Sequence, residues 1–122
     1  MCSNIHQRLQ DMKKMVIFAL SFFTAFNVFA NDEAADLERK AMRRDYQAQR
    51  NLAYSYQTAS LGLPKDFMKA CMWRTVIILS GAKQVDSSDA SNHDFACSKL
   101  TSTERVAATR QGEKLTERLY KK

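Results

Sequence analysis

The sequence predicts an all-α fold: an antiparallel helical hairpin, a short third helix and a C-terminal capping helix, of the α-α superhelix type. Two observations carry this. The chain holds only three glycines and one proline, too few for an all-β domain that needs turn residues about every 8–12 positions. Its apolar residues recur instead at helical steps over long segments.

The chain opens on a segment of another kind. Lys13 and Lys14 precede an apolar run from Met15 to Ala30, and Val28-Phe29-Ala30 sets small residues at the −3 and −1 positions of a cleavage site. Residues 1–30 therefore read as a Gram-negative type signal peptide, cut after Ala30. Residues 1–11 read as lying upstream of a true start at Met12, which leaves Cys2 and His6 without a role. A retained membrane anchor is the rival reading. A bilayer core takes about 20 apolar residues, whereas Met15 to Ala30 offers 16, diluted by Ser21, Thr24 and Asn27. No cysteine stands at the cleavage point, which argues against a lipoprotein. The expected address is the periplasm or the exterior, with no stable membrane insertion after cleavage.

Residues 31–122 remain, 92 in number, enough for one small domain. The whole chain carries a net charge of +6 and the first thirty residues +2, which leaves +4 for the mature part. Its basic residues alternate with acids along the helices and read as a solvated surface. No basic tract interleaved with aromatics points to nucleic acid.

The first helix is expected from about Asp32 to Ala59, with Leu37, Ala41, Ala48, Leu52 and Tyr56 on one stripe. Gly62-Leu63-Pro64 should break it. Asp66 suits the N-cap of a second helix, which carries Phe67, Ala70, Trp73 and Ile77 at helical spacing. Val76, Ile78 and Leu79 make this helix apolar nearly all round, so it should be buried on more than one side. Gly81 is its expected terminator. Val85 to Ser91 reads as a loop, and a short third helix should run from Asn92 to Leu100. Thr101-Ser102-Thr103-Glu104 fits a capping box and opens a last helix to about Tyr120. Gly112 inside that helix costs up to about 1 kcal/mol relative to alanine, and its small size fits close approach of a neighbouring helix. The third and fourth helices should pack on the second, because one hairpin cannot cover its own apolar face.

The mature part keeps Cys71 and Cys97. In an exported domain of this size such a pair is expected to form a disulfide, closing a loop of about 26 residues and contributing about 3 kcal/mol. Two alternatives use His93, four residues before Cys97 and so on the same face of a helix: a metal site with Cys71 as third ligand, and a catalytic cysteine–histidine pair. No second ligand motif supports the metal, and the oxidising compartment favours the bond. No metal, cofactor or catalytic residue is assigned.

Tyr54, Tyr56 and Trp73 form an aromatic group. At helical spacing Tyr56 and Trp73 read as core. Tyr54, two residues from Tyr56, faces elsewhere and is the candidate partner-binding residue. Asp86, Asp89 and Asp94 lack the spacing of a calcium loop and read as loop and cap residues. No nucleophile elbow or phosphate loop is present.

The run Ala48-Gln49-Arg50-Asn51-Leu52-Ala53-Tyr54-Ser55-Tyr56, then Gly62-Leu63-Pro64-Lys65-Asp66, Lys69-Ala70 and Trp73, resembles the SEL-1-like repeat, a short relative of the tetratricopeptide repeat. The likeness covers about 26 residues, one repeat. It departs at Ala53, where the family has glycine, at Ala59-Ser60 in the turn, and at Arg74, where an aromatic is common. The tail from Leu100 to Leu119 is similar to the terminal helix that closes bacterial proteins of this kind. The resemblance implies a protein-binding module that presents a groove to another protein, rather than an enzyme. A narrower expectation for a small exported member is an immunity protein that neutralises a toxic effector. It also leaves open a cell-envelope hydrolase, as some disulfide-rich members are described, or a structural or stress-response envelope protein. His93 is the one histidine after Ala30, so a nucleophile–base pair for hydrolysis is lacking.

Overall fold

The computed structural model describes residues 32–121, which form helices and connecting turns without a strand among the described residues. The expected signal segment lies outside them. Helix α1 covers 32–42, α2 Tyr46–Thr58, α3 Phe67–Leu79, α4 Ser87–Ser98 and α5 Ser102–Tyr120. No helix of the described residues is long and apolar enough to cross a membrane.

The expected single helix over 32–59 is two. The chain leaves α1 through Arg44, whose φ of 71° is left-handed. The Arg44 N–H donates to the Ala41 carbonyl (3.1 Å) and the Asp45 N–H to that of Lys40 (3.2 Å). This is the bond pattern of a Schellman stop. Asp45 then restarts the helix, its carboxylate accepting from the Ala48 N–H at 2.8 Å. The apolar stripe survives the break: Ala41 and Ala48, seven apart, are both buried.

Helix α2 ends at Ala59, again left-handed at φ 54°, and the turn runs through Leu61 (φ 57°) and Gly62 (φ 73°). The chain then closes on itself. The Asp66 N–H donates to the Tyr56 carbonyl at 2.8 Å, while the Asp66 side chain caps α3 by accepting from the Lys69 N–H at 3.0 Å. Helix α3 stops at Leu79, with Gly81 just beyond at φ 73°.

Helix α4 begins five residues earlier than the sequence suggests. The stretch read as a loop is its first turn. Asp86 accepts from the Ser88 and Asp89 N–H groups, and Asp89 returns the favour to the Asp86 N–H, a capping box written with aspartate at N3. The box that opens α5 stands where the sequence places it. Thr101 accepts from the Glu104 N–H at 3.2 Å, and Glu104 from the Thr101 N–H at 3.0 Å.

Helix α3 is the centre of the fold and packs against α2, α4 and α5. Ala70, Cys71, Trp73, Val76 and Ile77 are all buried. The main core joins Ala70, Trp73 and Val76 to Ala41, Leu52, Ala53, Tyr56, Ala96 and Leu115. A second cluster gathers Cys71, Cys97 and Ala108, flanked by Met68 and Leu100. Gly112 sits where α5 crosses α3. A Cβ there would lie 2.6 Å from Thr75 Cβ and 2.8 Å from the Met72 carbonyl oxygen, so only glycine allows this crossing.

Candidate functional site

One face of each of three helices converges on an open groove. Helix α1 presents Glu38 and Met42, four apart; α3 presents Lys69, Met72 and Trp73; α5 presents Gln111, Lys114, Leu115 and Arg118, with Glu117 beside them. Steps of three, four and seven put each set on one side of its helix. Tyr56 reaches in from α2. The cavity measures about 860 Å³, within the range of pockets that hold a drug-sized ligand or a side-chain anchor.

The floor is apolar and the rim charged. Tyr56, Trp73 and Leu115 are buried in it, Met72 is half-buried and Met42 is exposed at its edge. The two methionines give a polarisable surface able to adapt to a partner's shape. On the rim, Lys69 lies over the Tyr56 ring at 5.2 Å, a cation–π contact. Glu117 is tied to Lys121 at 3.0 Å. Lys69, Lys114 and Arg118 join no ion pair among the described residues, which leaves the rim with an excess of positive charge over Glu38.

Tyr54 stands elsewhere. It is exposed, as the sequence suggests, but lines a smaller and more polar cleft with Leu37, Asn51, Ser55 and Leu61. Tyr56 and Trp73 are core, as expected, and also form the groove's floor. The sequence reading therefore missed the groove's other apolar members, Met42, Met72 and Leu115. The i, i+4 pairs Glu38–Met42 and Lys69–Trp73 were the available signal. They become a site only once three helices are placed beside one another.

Cys71 and Cys97 are joined by a disulfide that ties α3 to α4. His93, one turn before Cys97, lies against this bond, its Nε2 3.2 Å from Thr75 Oγ1. Asp86 acts as a cap, Asp89 is a fully buried capping-box partner, and Asp94 is exposed beside His93.

A polar network joins α2 to α4. Asp89 accepts from the Tyr46 hydroxyl at 2.6 Å and meets Arg50 Nε at 3.2 Å. Burial, reinforced by the Asp89 carboxylate, pushes the Tyr46 hydroxyl above its ordinary pKa. Arg74 is buried nearby, donates through Nε and Nη2 to Gln57 Oε1 at 3.0 and 2.9 Å, and is lowered from its usual value by burial and then by the Arg50 charge. No protein-family model, characterised protein or solved structure matches the chain.

Proposed function

We propose that the chain is an exported periplasmic protein-binding module that holds an apolar-anchored, acidic segment of another protein in the groove between α1, α3 and α5. The groove carries this reading. Its floor of Tyr56, Trp73, Met72 and Leu115 offers aromatic and methionine contact area of the kind that dominates binding energetics. Its rim of Lys69, Lys114 and Arg118 favours carboxylates on the ligand and would steer their approach. Export is supported by the signal-like segment before Ala30 and by the bonded pair Cys71–Cys97, since such bonds persist in oxidising compartments.

The α2–turn–α3 unit is read as one SEL-1-like repeat and α5 as its cap. Ala53 and Ala70, fully buried in the core shared by α2 and α3, and the Tyr56 and Trp73 side chains filling that core support this reading. The narrower proposal, an immunity protein that neutralises a toxic effector, requires one cognate partner. A photoreactive residue at Met42 or Met72 should give a single stoichiometric adduct with that effector, and one at Tyr54 should not. Charge reversal at Lys114 and Arg118 together should weaken the complex about tenfold or more. Adducts from all three positions alike, or none, would overturn the groove as the binding face. A neighbouring gene whose product is toxic in the envelope alone and harmless with this chain would support the immunity role.

A further inference from the structure

We propose that Cys71, His93 and Cys97 form a thiolate–imidazole site for a borderline-soft divalent cation such as Zn²⁺ when the disulfide is reduced, so that crosslink and metal clamp are alternative states of one α3–α4 junction. The three side chains each offer one ligand atom, and those atoms lie within 4.8 Å of one another. In a tetrahedral site with Zn–S near 2.3 Å and Zn–N near 2.0 Å, ligand atoms stand about 3.5–3.8 Å apart. Once the sulfur–sulfur bond opens, the set fits that spacing by side-chain rotation, without a shift of either helix.

The helices do not rely on the bond alone to stay in place. Helix α3 packs along α4, with Ala96 in the main core and Ala108 of α5 beside the sulfurs. Cys71 is fully buried, Cys97 nearly so, and His93 is half-buried. Two thiolates in that environment, without a cation, would be costly. A metal ion removes the cost, and the half-exposed His93 side leaves room for water as fourth ligand. An outer contact is also present. With Nδ1 as ligand the other ring nitrogen has a partner, since Nε2 faces Thr75 Oγ1 at 3.2 Å; with Nε2 as ligand, Nδ1 has only Asp94 Oδ1 at 3.6 Å, beyond hydrogen-bond reach. Such a partner orients a ligating histidine.

The chemistry balances with a dithiol as reductant. The dithiol gives two electrons and two protons to the Cys71–Cys97 bond and leaves as its own cyclic disulfide. The cation then displaces two protons from the two thiols. Exchange with a small-molecule disulfide reverses the step: it takes up the two electrons and two protons from solvent to leave as its dithiol, the Cys71–Cys97 bond re-forms and the ion is released.

The test is a titration of the purified protein with Co²⁺, followed by competition with Zn²⁺, before and after reduction by a dithiol that is then removed without air. The reduced protein should bind one Co²⁺ with a sulfur-to-cobalt charge-transfer band that Zn²⁺ abolishes, and the oxidised protein should show no such band. His93→Gln should weaken binding roughly tenfold or more while leaving the oxidised protein's helicity unchanged. Should reduction itself unfold the chain, Zn²⁺ must restore the helical circular dichroism. A reduced, folded protein with no charge-transfer band, a reduced and unfolded one that Zn²⁺ does not refold, or a His93→Gln variant that binds as tightly as the parent, each overturns the proposal.

Discussion

The Tyr46 hydroxyl donates to Asp89 Oδ2 at 2.6 Å, joining the first residue of α2 to the first turn of α4 across 43 residues. The same carboxylate caps its own helix by accepting from the Asp86 N–H at 3.2 Å. Its other oxygen meets Arg50 Nε at 3.2 Å, as an ion contact rather than an aligned hydrogen bond. Asp89 is completely buried while Arg50 keeps 29% of its side chain exposed. Asp89→Asn should therefore cost about 2 kcal/mol, below the usual loss for a broken buried pair, because water can take over Arg50. Urea denaturation should show a lower midpoint with an unchanged slope.

The helix caps predict the acid response. Hydrogen bonds from Ser88 and the Asp89 N–H hold Asp86 below its ordinary pKa of 3.8. The Thr101 N–H, with its hydroxyl, does the same for Glu104 below 4.5. A depressed carboxylate adds stability that is complete above its unfolded value and lost as pH falls through its folded one. Melting temperature should thus fall as pH drops below 4.5 and again below 3.8. Asp86→Asn keeps a capping oxygen and should flatten the lower part of that limb. Parallel curves for parent and variant would show the caps to be uninvolved. At the other end, the raised Tyr46 hydroxyl adds stability that is complete below pH 10.0 and lost as pH rises through its folded value.

Gly112→Ala tests the α3–α5 crossing. The added methyl meets Thr75 Cβ at 2.6 Å and a backbone oxygen at 2.8 Å, neither of which is the free end of a flexible side chain. The gain in helix propensity, about 1 kcal/mol, is outweighed by overpacking of about 1–3 kcal/mol. A net loss of stability is expected, with α5 losing amide-exchange protection first. A more stable variant would mean the crossing is looser than described.

Replacing both Cys71 and Cys97 by alanine removes the α3–α4 crosslink without leaving a lone thiol. The loop spans 26 residues, so the loss should be about 3 kcal/mol. Guanidinium denaturation of the double variant beside the oxidised parent measures it.

Much of this architecture is legible in the residues. Asp66 and the Thr101–Glu104 box announce their helices, Gly81 marks the end of α3, and the glycine at 112 foretells a close contact. The break at Arg44 is not legible. A left-handed arginine carries no local signature, and the apolar stripe continues across it from Ala41 to Ala48. Helix α4 is legible from Asn92 onward, but its start was hidden because its first turn, Ser87-Ser88-Asp89-Ala90, has the composition of a loop; what makes that turn helical is the reciprocal Asp86–Asp89 cap and the contact of buried Asp89 with Arg50, which is tertiary. The groove was hidden for a similar reason. Met42, Met72 and Leu115 lie on three helices far apart in the chain, and no local pattern says that they meet.

Helix α3 touches α2 on one side and α4 and α5 on others, and this has a bearing on when the protein can fold. Until Ser102–Tyr120 is available, the strip of α3 that faces Gly112, at the Met72 carbonyl and the Thr75 methyl, lacks its covering helix. A growing chain that has reached only Leu100 holds a hairpin with one flank bare. Folding should therefore wait for the last helix, in one late step that covers α3.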